Sequence, residues 1–181
     1  MAYTISNPQA GFLPISGTDA GFIPPNNVNT GSTTTLPSPP AKAGMIVDAT
    51  DPTYGGGEFI LLLGVSGTAV GSVVTYNTTS YTTTLASPTE GAAIPVAISM
   101  SANTSATTWS WYQISGVAVA TKSGVSVAAS GAIGITTAGL VAQAATDVQQ
   151  IEGAAYAAAA TTLATTVNIV INRPHLHPAL L

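Results

Sequence analysis

The chain has 181 residues, 46% of them hydrophobic, with three basic and seven acidic side chains for a formal net charge of −4. Three cations cannot neutralise a run of phosphates, which excludes sequence-independent nucleic-acid binding, and a chain this apolar is not disordered by composition. The absence of cysteine excludes a disulfide framework and any thiolate metal site.

From the start of the chain, Met1 to Pro8 carries neither a basic segment nor an apolar run, so no secretory signal is expected. Seven of the twelve prolines lie within residues 1–43, a stretch with no sustained period of 2 or 3.6. It holds a short repeat, Ala10-Gly11-Phe12-Leu13-Pro14 and Ala20-Gly21-Phe22-Ile23-Pro24, each unit setting two apolar residues between Gly and Pro. A flexible linker has no use for such pairs. The pattern suits an extended arm that lays Phe12, Leu13, Phe22 and Ile23 onto a partner, the alternative being that they fold back on the chain's own core. Fully extended, such an arm reaches roughly 130 Å at about 3.1 Å per residue. Asn26 to Pro40 reads as a polar spacer.

From Gly44 onward, β-branched runs alternate with Gly, Asn and Pro turn signals. Strands are expected at Met45–Ala49, Glu58–Leu63, Ser72–Tyr76, Tyr81–Leu85, Ile94–Met100, Ser110–Thr121, Val125–Ala129, Ala132–Thr136 and Val167–Ile171. The apolar run from Phe59 to Val65 is too short to span a bilayer. Ile151 to Thr166 is open between a strand with a loop and a short helix: the run Tyr156 to Ala160 favours helix, and the threonines after it favour strand. The expected fold is all-β, a compact β-sandwich or barrel-like module over 44–181 with an extended Pro-rich N-terminal arm and spacer over 1–43.

Catalysis needs titratable groups brought together and tuned, and the sequence offers few. The two histidines, His175 and His177, read as surface residues of a C-terminal tail, with Glu152 the nearest acid and far up the chain. Asp48 and Asp51 straddle a turn and read as turn-formers; with Glu58 they resemble a calcium loop only loosely. No nucleophile elbow and no phosphate-binding loop is present. No catalytic residue, metal site or cofactor is therefore expected. Trp109 and Trp111 project from one face of a strand, either as core or as an aromatic platform for sugar.

Four segments carry a resemblance. They are Glu58-Phe59-Ile60-Leu61-Leu62-Leu63-Gly64-Val65, Val70-Gly71-Ser72-Val73-Val74-Thr75-Tyr76, Pro95-Val96-Ala97-Ile98-Ser99-Met100 and Trp111-Tyr112-Gln113-Ile114-Ser115-Gly116-Val117-Ala118. In this order they resemble small structural proteins of tailed phages and prophages, the capsid decoration or cement proteins. The match covers residues 44–120, is weak in the C-terminal third and is absent from the arm. Family members often carry Lys or Asp where this chain has Leu63, Asn77 and Val117.

The resemblance implies a non-enzymatic virion protein on the outer capsid surface, made in the host cytoplasm. Its partners would be the major capsid protein and itself, as a homotrimer or alternatively a homodimer, with no nucleic acid and no membrane. The other function class open to the sequence is a head-fibre or tail module that binds a receptor or carbohydrate through Trp109 and Trp111.

Overall fold

The structure, a computed structural model, describes residues 3–6, 42–89, 93–103, 106, 108–144 and 149–177. The β-branched runs form strands wherever a neighbour can pair with them. Those described are β1 (Thr4–Ile5), β2 (Ile46–Asp51), β3 (Gly55–Leu63), β4 (Val73–Tyr76), β5 (Thr83–Leu85), β6 (Val96–Ser99), β7 (Trp109–Thr121), β8 (Ala132–Thr137), β9 (Leu140–Gln143), β10 (Gln149–Tyr156) and β11 (Thr166–His177). The protein is all-β, as expected, and its strands join in one sheet with the path β1-β2-β3-β7-β11-β10-β8-β9. Off this path, β6 pairs with β7 and β4, and β4 pairs with β5.

The long strand β7 is common to two wings. Its first half pairs with β3, from Trp109 opposite Leu63 to Gly116 opposite Gly57, and with β6 at Tyr112 and Gln113. Its second half pairs with β11, from Ser115 opposite Asn172 to Thr121 opposite Thr166. Both wings curl back toward the centre. In the first, Leu63 bridges Thr82 and takes a 2.9 Å backbone bond to Tyr81; in the second, Lys122 bridges Val141 and the Ser123 amide donates to its carbonyl at 2.9 Å. These closures give the sheet its sandwich-like shape and cover edges that would otherwise be open for pairing.

In the first wing the second half of β3, most of β4, all of β6 and the first half of β7 are buried on both faces and read as largely apolar runs, whereas β2 alternates buried and exposed residues. Phe59, Leu61, Leu63, Trp109 and Trp111 pack on one side with Met100, Val47 and Tyr3. Ile60, Leu62, Tyr112 and Ile114 pack on the other with Val74 and Ala97. The second wing packs a core of mostly smaller side chains, including Ala118, Ala120, Ile133, Ile135, Val141, Ile169 and Ile171 around Tyr156 and Leu176, which Val73, Val96 and Ile98 of β4 and β6 also join.

Several details differ from the sequence reading. Residues 3–6, within the stretch read as an arm, pair with β2: Thr4 lies opposite Thr50, and Ile5 opposite Ala49. Buried Tyr3 meets the Phe59 ring edge-on at 4.7 Å, and its hydroxyl donates to the Val117 carbonyl at 3.0 Å. Val125–Ala129 is not a strand, and only Val127 forms an isolated bridge, with Ala160. The cause is Lys122, whose buried ammonium donates to the carbonyls of Ser123 and Val125 and ties this segment into a turn. Ile151 to Thr166 takes the strand-with-loop alternative. Ala155 and Tyr156 pair with Val170 and Ile169, and the Ala157 amide donates to Asn168 at 2.9 Å, so cross-strand bonds override the helix propensity of the alanines.

Candidate functional site

One row of residues across the sheet breaks its regularity: Gly57 lies opposite Gly116, Gly116 opposite Ile171, and Ile171 opposite Ala154. Gly116 has φ +99°, and a Cβ there would sit 2.4 Å from the Gly56 carbonyl oxygen, so only glycine lets β3 and β7 approach. The register shifts between Glu58 and Phe59 on β3 and between Glu152 and Ala154 on β10. Opposite the second shift, Arg173 has φ +45°, an uncommon value for a residue with a side chain. Together these bulges form a crease running over β3, β7, β11 and β10.

The crease decides which side chains face out. Before it, Val167, Ile169 and Ile171 point into the core; beyond it, Pro174 and Leu176 do. Across the crease four residues of β11 span two of β10 and the burial alternation of β11 is displaced by one position, so His175 and His177 emerge half-exposed on the outer face. The expectation of a C-terminal tail without an adjacent acid is thereby corrected. Both histidines belong to β11, and Glu152 lies directly opposite His175 in the ladder. His175 Nε2 is 3.0 Å from Glu152 Oε2, and His177 Nε2 is 3.5 Å from Glu152 Oε1.

Arg173, at the top of the bulge, reaches across β7 to β3. It donates to Glu58 through Nη2 at 2.9 Å and Nε at 3.2 Å, a two-pronged grip on the carboxylate. This hydrogen bonding holds the Glu58 carboxyl below its usual range. Glu58 stands opposite Asp48 in the β2–β3 ladder, a like-charged neighbour for which Arg173 supplies the counter-charge. Glu58, Glu152, Arg173, His175 and His177 thus gather along the crease, in a chain with very few ionisable side chains.

Other candidates resolve into structure. Asp51 accepts the amides of Thr53 at 2.7 Å and Tyr54 at 3.0 Å and closes the turn that follows, but Asp48 lies inside β2 opposite Glu58, so the two do not straddle a turn as expected. Trp109 and Trp111 are 3% and 2% exposed and belong to the core alternative. Phe12, Leu13, Phe22 and Ile23 lie outside the described residues.

A polar network missed in the sequence centres on buried Asn103. Its amide donates to the Tyr112 hydroxyl at 2.9 Å, and its carbonyl oxygen accepts from Thr108 at 2.7 Å and Ser110 at 2.8 Å. Burial pushes the Tyr112 phenol up to about 12, against the lowering effect of its hydrogen bonds. The network fixes the position of Asn103 against β7 and leaves no open reacting group. A shallow groove of about 340 Å³ lies near the crease, lined by Thr75, Tyr76, Asn77, Thr82, Ile94 and Pro95 among others. Pro95 bridges His175, linking the groove's rim to β11.

The histidine–glutamate contact spans more than twenty residues of sequence, and only the alternate spacing of His175 and His177 hinted at a shared strand face. Chemically, the crease presents one two-pronged ion pair and two imidazoles sharing one carboxylate on an open surface. No protein-family model matches the chain, and no curated protein is significantly similar to it.

Proposed function

We propose that the chain is a decoration, or cement, protein of a tailed-phage head. It binds the outside of the assembled shell, stabilises contacts between major capsid subunits and performs no catalysis. The observation that carries this reading is the placement of the four segments behind the resemblance. They supply β3, β4, β6 and β7, and these strands pair contiguously, β3 with β7, β7 with β6 and β6 with β4. The resemblance therefore follows one structural unit and not scattered generic strands.

Surface chemistry supports the same reading. Ile46, Val70, Val125, Leu163 and Val170 are exposed, and Leu163 is 91% so. Of the three cations, Lys122 is buried and Arg173 is held by Glu58, so contacts with a shell would be apolar and backbone-mediated. Phe12, Leu13, Phe22 and Ile23 are the proposed arm anchors, each worth about 1.5–3 kcal/mol when buried. Self-association as a homotrimer, or alternatively a homodimer, would hide apolar surface. Burial of Trp109 and Trp111 removes the feature on which a sugar-binding reading rested.

The test is co-sedimentation of the purified chain with assembled heads that lack it. The expected outcome is binding at a fixed ratio to the major capsid protein, retained in about 1 M NaCl, where screening acts within about 3 Å. Failure to bind heads, or binding to host surface glycans instead, overturns the proposal.

A further inference from the structure

We propose that the N-terminal strand is exchanged between copies: in the assembled protein, residues 3–6 of one chain seat on β2 of a second copy. Such exchange rests on the self-association proposed above. Its basis is the way β1 is held. Thr4 and Ile5 lie opposite Thr50 and Ala49, and the Ser6 amide donates to the Asp48 carbonyl at 2.8 Å. Tyr3 is 6% exposed; its ring meets Phe59 of β3, and its hydroxyl crosses to the Val117 carbonyl of β7.

The socket belongs to the body of the protein. Its strands β2, β3 and β7 all lie after Lys42, and they pair with one another independently of β1. Residues 7–41 separate β1 from that body. At about 3.1 Å per residue this length can span roughly 100 Å, against roughly 40 Å across a module of this size. The chain's own socket and a neighbour's are therefore both within reach. Docking on a neighbour makes the same bonds as docking at home, so exchange loses no native contact. At home those bonds close a long loop, at an entropic cost that grows with its length; between copies they fasten two modules together.

The chemistry of the segment suits strand addition. Tyr3 and Ile5 turn toward the core formed by Val47, Phe59 and Leu61, while Thr4 and Ser6 stay exposed. Main-chain bonds to β2 supply attachment, and the two inward side chains supply selectivity. The ladder of β1 covers β2 only at Ala49 and Thr50. Ile46, at the other end of β2, is 42% exposed and offers the approaching copy an apolar contact beside the socket.

The experiment uses the full chain, which has no cysteine of its own. Thr4 and Thr50 are exposed and directly opposite, so Thr4→Cys/Thr50→Cys sets two thiols within disulfide reach and leaves the core untouched. Isotope-labelled and unlabelled double variants are refolded together and mildly oxidised. Covalent dimers or trimers are expected on a non-reducing gel, with mass spectrometry finding the 4–50 link between labelled and unlabelled chains. Tyr3→Ala is expected to weaken self-association about tenfold or more in sedimentation equilibrium, with circular dichroism checking the fold. An oligomer whose 4–50 disulfides all lie within single chains overturns the exchange and leaves self-association standing. So does a folded Tyr3→Ala variant that associates undiminished. An unaltered chain that stays monomeric at micromolar concentration overturns both.

Discussion

The two wings that share β7 solve the same packing problem differently. In the first, Phe59 to Leu63 and Trp109 to Ile114 are buried without interruption, and large side chains fill a core on each face of the sheet. In the second, β11 alternates buried with more exposed residues on either side of its bulge, and the core is mostly Ala, Val and Ile, with Tyr156 and Leu176. One strand serves both regimes because Gly116 breaks its alternation where the neighbours change. Ionisable side chains collect at that boundary and on strands with one solvated face, such as β2 with Asp48 and β11 with His175 and His177, where a charged group keeps its water; a strand covered on both faces offers no such place.

Truncation should separate the wings most sharply. Trp111→Ala is expected to cost about 3–5 kcal/mol in urea denaturation, whereas Val170→Ala, at a position 48% exposed on the second wing, should stay within about 0.5 kcal/mol. Equal costs would erase the distinction. Next is the boundary itself. Gly116→Ala forces a side chain into a positive-φ position and against the Gly56 carbonyl, for a loss of about 1–3 kcal/mol or more.

Alkaline pH probes the first wing's buried polar network. Tyr112 ionises near 12 in the folded chain against an ordinary value of 10, so the unfolded chain gives up its proton first. Its contribution is whole below pH 10 and is lost between pH 10 and 12, so the denaturation midpoint should fall over that window. Absorbance at alkaline pH should show at least one tyrosine ionising only as the protein unfolds.

The smallest effect compares two buried tyrosines. Tyr112 is hydrogen-bonded to Asn103, while burial pushes the Tyr156 phenol up and its hydroxyl has no partner among the described residues. Tyr112→Phe should cost about 1 kcal/mol, and Tyr156→Phe should be neutral or stabilising. A reversed order in thermal melts would mean that Tyr156 has a partner outside the described residues.

In the first wing β3 was legible because burial on both faces writes a continuous apolar run, Phe59 to Leu63, and β2 because Val47, Ala49 and Asp51 alternate with exposed neighbours. The strands of the second wing were less so. Leu140–Gln143 was not anticipated and Gln149–Tyr156 was open between strand and helix from Ile151 onward, since Ala, Gly and Gln carry little strand signal and their pairing comes from β8 and β11. The last six residues of β11, from Asn172 to His177, were hidden by Arg173 and Pro174, which look like a chain end and are in fact a bulge. The ionisable cluster was illegible for the same reason: its members meet through register, and register across a bulge leaves almost no trace in local sequence.

The central position of β7 also sets an order of events during synthesis. Leu63 must wait for Trp109, about 46 residues later, before its ladder partner exists. At translation rates of about 5–20 residues per second this interval lasts roughly 2–9 s. For that time the Phe59–Leu63 run has β2 on one edge but lacks β7 on the other, an incomplete hydrophobic surface on the nascent chain and a target for chaperones or for neighbouring copies on the same message. The yield of soluble protein should then depend on elongation speed between codons 64 and 121 more than on the final stability of the fold.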